Sequence, residues 1–262
     1  MKIEVRDLVQ GYGKHNVLDG ISFEAETGEI TAVLGPNGSG KSTLIRTMCD
    51  LMPPISGNVL LDGTDVHDID VTDFAKLVSY VPQSSDAGVY TTVLETVLLG
   101  RKPYVTWNYR DKDIQYALDA MRLMNVSRYA TRNVTDLSGG QRQRVFIARS
   151  LAQCPSFYIF DEPTSALDLK HQMNTMIRMR EVIRTNGSGM IVALHDMNLA
   201  LNYTDKVIML KNGRIHAHGP PEETITEENI REVYGVESRI IETEVGRYIL
   251  PISPLNMEDD DP

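Results

Sequence analysis

The most explicit chemistry in the chain lies in Gly35-Pro36-Asn37-Gly38-Ser39-Gly40-Lys41-Ser42-Thr43. The glycines let the backbone curl until successive N–H groups point at a common anion. The G-x4-G-K-S spacing puts Lys41 on the terminal phosphates of a nucleoside triphosphate and the Ser42 hydroxyl on Mg²⁺. An apolar run, Ile30 to Leu34, precedes the loop and reads as a buried strand, and Leu44 to Met48 behind it reads as a helix. That context is the one phosphate binding requires, because the helix adds the positive end of its dipole. An ordinary glycine-rich turn is the plainer alternative, and the complete spacing with these flanks argues against it.

A second concentration of chemistry follows the apolar run Phe157 to Phe160, where Asp161 and Glu162 are adjacent. An anionic oxygen at the end of a buried strand suits a hard cation, so Asp161 is a candidate Mg²⁺ ligand. Glu162 beside it is placed to orient and deprotonate an attacking water. The neighbouring negative charge favours its neutral form and a cation opposes this, and the sequence leaves the balance open. A strand-end carboxylate is a sufficient account of either acid alone, less so of the pair. Ser138-Gly139-Gly140 opens a helix holding Gln141 to Leu151, and so offers a hydroxyl, N–H groups and a positive dipole end to a second anion. Gln83 can donate to water and accept from it. His195 ends an apolar run, Ile191 to Leu194, where satisfied histidines are common. His216 and His218 share a strand face without a third ligand, which does not make a metal site. Arg144 reads as a solvated surface residue.

The elements that must position these groups can be read in outline. Lys2 to Leu8 and Gly20 to Ala25 suggest an early antiparallel sheet. Asn58 to Leu61 and Thr64 to Val66 flank Asp62-Gly63, a hairpin turn, and Asn212-Gly213 marks another between Val207 to Leu210 and Arg214 to Ala217. Val71 to Leu77 reads as a helix, Leu77 to Val81 as a strand, Leu169 to Thr185 as a helix stopped by Asn186-Gly187, and Met190 to Leu194 as a strand. Between about Gly88 and Cys154, helical periodicity such as Ile114, Ala117, Leu118 and Met121 replaces strand runs. After Pro220-Pro221, Glu227 to Tyr234 reads as a helix and Val236 to Ile252 as a hairpin around Gly246. The expected organisation is residues 1–87 and 155–220 as two parts of an α/β core, the first with an antiparallel β-subdomain. Residues 88–154 form an inserted helical subdomain, and 221–262 a C-terminal extension ending in the acidic run Glu258 to Asp261.

At 262 residues there is material for a sizeable core. A net charge of −10 argues against a general nucleic-acid binder. Residues 101–152 nevertheless carry ten Lys/Arg against four Asp/Glu. Cys49 and Cys154 lack any metal or redox spacing and read as reduced thiols. No signal-peptide pattern and no run of membrane-spanning length is expected; Val93 to Leu99 is short and interrupted by Glu95 and Thr96.

The joint set of motifs resembles the ATP-binding-cassette (ABC) ATPases: the phosphate loop, Tyr80-Val81-Pro82-Gln83 as Q-loop, and Leu137-Ser138-Gly139-Gly140-Gln141 as signature. Phe157 to Thr164 is similar to the Walker B strand with its glutamate, Ser165-Ala166-Leu167-Asp168 to the D-loop, and Val192 to Asp196 to the switch-histidine strand. The resemblance implies a P-loop NTPase (RecA-like) core and ATP with Mg²⁺ as ligands. It implies Ser42, Gln83 and Asp161 at the metal, Glu162, His195 and Gln83 in hydrolysis, and Tyr12 stacked on adenine. It implies too that Ser138-Gly139-Gly140 completes the pocket of a second copy, in a head-to-tail homodimer with ATP between the subunits.

Thr92 to Tyr104, Leu137 to Pro155, Ser165 to His171 and Leu194 to Ala200 are similar to cassettes of iron–siderophore, haem and cobalamin importers. That likeness implies integral-membrane permease subunits, an extracytoplasmic substrate-binding protein, a place on the cytoplasmic face of the membrane, and Gly88 to Trp107 as a groove for a permease helix. A cassette for a metal ion or other solute is one alternative, and a soluble ABC ATPase acting on nucleic acid or ribosomes another. The single cassette without a heptad array and the acidic charge favour transport without nucleic acid.

Overall fold

The computed structural model describes residues 1–13, 15–83, 91–244 and 246–255. Its centre is a six-stranded sheet ordered β10-β9-β3-β8-β7-β6, in which only the β9–β10 pair is antiparallel. Before it in the chain come two long strands, β1 (Lys2–Tyr12) and β2 (His15–Glu26), which join β4 (Ser56–Leu61) and β5 (Thr64–Asp65) in a separate antiparallel sheet. The central strands are β3 (Ile30–Leu34), β6 (Val78–Val81), β7 (Phe157–Asp161), β8 (Gly189–Ala193), β9 (Lys206–Lys211) and β10 (Arg214–Gly219). β3, β7 and β8 are buried along their whole length, which is why they are apolar runs and not alternating patterns.

Helices cover both faces. α1 (Lys41–Met48) follows β3 and packs with the antiparallel sheet on one face, where Leu44, Ile45 and Met48 meet Val33, Ile159, Ile191, Ile3, Val5 and Leu18. α2 (Val71–Leu77) precedes β6. α3 (Val93–Leu98), α4 (Asp111–Leu123) and α5 (Gly139–Gln153) form the helical insert. α5, α6 (Leu169–Asn186) and α7 (Met197–Tyr203) pack on the opposite face, where Ala32, Leu34, Tyr158, Phe160, Val192 and Met209 point. One strand thus feeds two cores: Phe157 and Ile159 point one way, Tyr158 and Phe160 the other. α8 (Pro221–Thr224) and α9 (Glu227–Tyr234) lead to a two-stranded sheet, β11 (Val236–Thr243) and β12 (Gly246–Pro254). That hairpin docks on α7: Asn198 accepts from the Ile249 N–H at 2.7 Å, and Ile249 is buried.

Some sequence expectations require correction. β1 and β2 run further than their apolar cores because the ladder passes through bulges at Asp7 (φ 44°) and beyond Gln10. Gln10 is buried there, giving its amide N–H to the Pro53 carbonyl at 2.6 Å. Leu77 closes α2 and does not join β6; Val66 leaves β5 for a short 3-10 turn. On α4 the buried face is Ala117, Ala120, Met121 and Asp113, whereas Ile114 is 39% exposed. The Asp62-Gly63 turn has both residues at positive φ (49° and 83°), as a primed hairpin turn demands. The expected acidic tail and the start of the helical insert at Gly88 lie outside the described residues.

Candidate nucleotide site

All the candidate catalytic groups leave the carboxyl ends of neighbouring parallel strands, where α/β sheets bind ligands. The glycine loop follows β3, Asp161 is the last residue of β7, His195 lies two beyond β8, and Gln83 two beyond β6. Parallel pairing sets the level of these ends: Asp161 stands opposite Ala193, and Phe160 opposite Val81.

The loop is held by its crowding. Gly35 (φ 153°) has no room for a Cβ, which would lie 2.5 Å from the Leu210 carbonyl and from Ser39 Oγ. Gly40 (φ 106°) begins α1, and a Cβ there would meet a Leu18 methyl at 2.6 Å. Any larger residue at either position would reshape the loop. Lys41, 5% exposed, turns back to donate to the Gly35 and Pro36 carbonyls at 2.8 and 3.1 Å. Burial lowers its pKa, and the charges of Glu162 and Asp161 pull the other way. Asn37, Gly38, Gly40, Lys41, Ser42 and Thr43 line a cavity of 240 Å³ together with Val17, Gln83 and Glu162. Val17 has no sequence signal as a site residue; its carbonyl faces both Gly40 and Gly213, and its side chain also faces Gly40.

Ser42 and Asp161, 119 residues apart, meet as expected: the Ser42 hydroxyl donates to Asp161 Oδ1 at 3.0 Å. Asp161 is 1% exposed, and its Oδ2 has no hydrogen-bond partner among the described residues. Burial raises its pKa, partly offset by the Ser42 hydrogen bond. An orphaned, desolvated carboxylate oxygen beside a hydroxyl is a donor set that fits a divalent cation such as Mg²⁺.

Glu162 is the hub of the remaining groups. One carboxylate oxygen lies 2.5 Å from His195 Nε2 and the other accepts from Gln83 Nε2 at 2.5 Å. Its backbone is left-handed (φ 51°), a conformation costing a non-glycine residue about 1–2 kcal/mol. Held strain of this kind at the junction of a strand and a turn is typical of functional positions. The turn is fixed by its neighbour: Ser165 donates both its N–H (3.2 Å) and its hydroxyl (3.0 Å) to the Glu162 carbonyl. Tyr12 ends β1, 51% exposed, its hydroxyl donating to Met52 Sδ at 3.4 Å, and the Tyr80 and Tyr12 hydroxyls beside Arg46 on α1 hold that guanidinium's pKa up. The aromatic face therefore lies next to the helix that the glycine loop opens.

The signature segment occupies a different place. Ser138 caps α5, accepting from the Gln141 N–H at 3.4 Å, while Gln141 Oε1 accepts from the Ser138 N–H at 3.1 Å. Gly140 lies against the D-loop, where a Cβ would come within 3.0 Å of the Ala166 carbonyl. Ser138, Gly139, Gly140 and Gln141 line a cavity of 510 Å³ with Ala166, Leu167 and Asp168; this cavity shares no residue with the phosphate-loop cavity. Asp168 caps α6 and accepts from the His171 N–H at 2.9 Å, which lowers its pKa. Leu137 is buried in the helical core and anchors the turn without facing the cavity. Arg144 also departs from expectation: it is 8% exposed, not a solvated surface group, because its guanidinium reaches the Gly140 and Met124 carbonyls, each at 3.4 Å.

Comparison with known proteins identifies the family of the chain. The family profile described as ABC transporter matches residues 18–165. An ABC transporter ATP-binding protein of Methanocaldococcus jannaschii is 42% identical over 92% of this chain and 94% of its own. The petrobactin import ATP-binding protein of Bacillus anthracis is 36% identical over 91% and 88%. The hemin import ATP-binding protein of Hahella chejuensis is 38% identical over 87% and 90%. Among solved structures, an inward-facing metal-chelate type ABC transporter superposes with a TM-score of 0.81 at 26% identity, covering 96% of both chains. The dimeric structure of the cassette MJ0796 gives 0.77 at 29% identity, covering 84% of this chain and 98% of that one. The chain belongs to the ABC transporter family, as an ATP-binding cassette with the cassette fold.

Proposed function

We propose that this chain is the ATP-hydrolysing subunit of an importer for an iron chelate, haem or cobalamin, working with a separate permease. The observation carrying the enzymatic half is the separation just described. The phosphate loop, Gln83 and Glu162 share one cavity, while Ser138, Gly139 and Gly140 line another beside the D-loop of the same chain. Each is half of a γ-phosphate site. Two chains related head to tail bring the halves together, so ATP becomes part of the interface, as a two-fold axis requires of complementary patches. The names of the petrobactin and hemin import relatives support the cargo class.

In this reading the phosphate loop and Lys41 bind the phosphates, and Ser42, Asp161 and Gln83 hold Mg²⁺, which supplies charge neutralisation of the phosphate oxygens when bound. Lys41 leaves the Gly35 and Pro36 carbonyls for the ligand. Glu162 orients water and takes its proton, His195 and Gln83 fix its two oxygens, and Tyr12 stacks on the base. Ser138, Gly139, Gly140 and Gln141, held by Leu137, close the partner's pocket, and Ser165 to Asp168 line that junction. Hydrolysis removes one anchor from the interface and lets the subunits part.

Residues 1–87 and 155–220 serve as core, 88–154 as the helical subdomain and 221–262 as an extension. Gly88 to Trp107 receives a permease helix; of this segment Gly88 to Tyr90 lie outside the described residues, and Trp107 is 91% exposed. Among the described residues no helix is long and apolar enough to cross a membrane. The chain then sits on the cytoplasmic face through its permease, and an extracytoplasmic substrate-binding protein delivers cargo.

Purification from native membranes tests this. The chain should bring a membrane-spanning partner with it, and vesicles holding the complex should take up an iron chelate or a corrinoid only with ATP and intact Glu162. ATPase activity stimulated by ribosomes or DNA, with no membrane partner, would overturn it.

A further inference from the structure

A second cluster of cations sits behind the signature turn, apart from the phosphate loop. The end of α4, the middle of α5 and the first half of α6 enclose a cavity of 150 Å³. Arg144, Lys170 and Arg178 line it with Asn125 and Asn174, and no acidic side chain does. Lys170, Asn174 and Arg178 are spaced by four along α6, which stacks them on one helix face.

Lys170, Asn125 and Asn174 are exposed and Arg178 is half-buried, so the buried member of the cluster is Arg144. Arg144 is 8% exposed, its hydrogen-bond partners among the described residues are the two carbonyls at 3.4 Å, and no ion pair is formed there, Asp168 acting only as a nearby charge. A cation taken out of water is normally paired, and burial here pushes the guanidinium pKa down, with Tyr129 and Asp168 pulling the other way. The side chains of Lys170, Arg178, Asn125 and Asn174 likewise make no hydrogen bond or ion pair among the described residues. These donors line one cavity, and among them only Arg144 has acceptors in the described residues, the two carbonyls.

We propose that this cavity is an anion site that takes a phosphoryl group, gripped by Arg144 and Arg178 with Lys170 as the third cation. Guanidinium forks match phosphate oxygens bidentately, and the two asparagine amides add neutral donors. The volume is below the ~300–1,000 Å³ usual for drug-sized ligands, so it suits a phosphate or diphosphate and not a whole nucleotide. Arg144 also donates to the Gly140 carbonyl, so an anion here would touch the group that holds the signature turn. The site shares no residue with the phosphate-loop cavity, but it shares Arg144 and His171 with the signature cavity and so adjoins that half of the nucleotide reading above.

The test titrates inorganic pyrophosphate into the full chain saturated with ADP, so that the phosphate loop is blocked. One binding event per chain is expected. Arg178→Glu should weaken it by about ten- to a hundredfold, the loss of one charge-assisted contact. Arg178→Lys should lose less, keeping the charge without the fork. Unchanged ADP affinity in both variants shows that they fold. A parallel arm sediments the chain with phosphatidylcholine vesicles with and without phosphatidic acid. Retention on phosphatidic acid that needs Arg178, without pyrophosphate binding, assigns the phosphoryl group to a lipid headgroup; pyrophosphate binding assigns it to a soluble phosphate. If neither probe binds, or binding survives Arg178→Glu unchanged, the proposal is wrong.

Discussion

Glu162 combines a strained backbone with a carboxylate whose two oxygens are both engaged, by His195 and Gln83. A side chain held this way costs little further ordering when water and phosphate arrive, which is what a general base needs. Glu162→Gln keeps the shape but cannot take a proton. Its turnover should fall by about 10²–10⁴-fold with ATP affinity nearly unchanged, measured by phosphate release and nucleotide titration. Loss of binding in parallel with turnover would assign Glu162 a structural role instead. Asp161 makes the opposite kind of prediction. Its pKa is raised by burial, so the folded chain binds its proton more tightly than the unfolded chain does. The stability this contributes is complete below the ordinary carboxylate pKa and is lost as pH rises through the raised one. At neutral pH the nucleotide-free chain therefore carries a buried charge at a cost to stability. Asp161→Asn should raise the melting temperature of the nucleotide-free chain at pH 7, narrow the difference between pH 7 and pH 4, and abolish Mg²⁺-dependent hydrolysis. A lower melting temperature at pH 7 would contradict this account of the site.

Among the elements, the helical insert depends on one buried ion pair that the pattern of apolar residues does not announce. Arg101 Nε donates to Asp113 Oδ1 at 3.0 Å, and Nη1 reaches the carbonyls of Ala152 and Gln153 at the end of α5. Tyr104 and Tyr116 lie within 4.1 and 4.4 Å of the guanidinium carbon, at cation–π distance. This single residue ties the segment after α3 to α4 and α5. Arg101→Ala leaves Asp113 buried without its partner and should cost about 3–5 kcal/mol in urea unfolding. A double change to Arg101→Met and Asp113→Leu should cost much less, since no unpaired charge remains. Equal losses would mean that packing, not charge, holds the insert. The basic excess of residues 101–152 is therefore not one surface: Arg101 and Arg144 are buried.

At the scale of the whole molecule, the parts legible in the sequence are those written by local rules. α2, α9 and the turns at Asp62-Gly63 and Asn212-Gly213 follow from caps and turn chemistry, and Gly187 (φ 66°) stops α6 where Asn186-Gly187 said it would. The meeting of Ser42 with Asp161 is legible through the motifs, and its physical basis is that strand-end residues collect at one edge of a parallel sheet; the Glu162–His195 contact is not read from the sequence. What escaped depends on tertiary neighbours: Arg144 buried beneath the signature turn, Val17 set against Gly40 and Gly213, Leu137 turned into the core, and the bulges that lengthen β1. None of these has a local signal, because each is decided by which carbonyl or core happens to lie opposite.

In the proposed function, hydrolysis, dimerisation and release all depend on the separation of two half-sites. The structure of the Glu162→Gln variant with ATP and Mg²⁺ measures it directly. Two chains should enclose two nucleotides, each γ-phosphate lying on the phosphate loop of one chain and within hydrogen-bonding distance of Ser138 from the other. A nucleotide-loaded form in which Ser138 of both copies stands away from any triphosphate would contradict it.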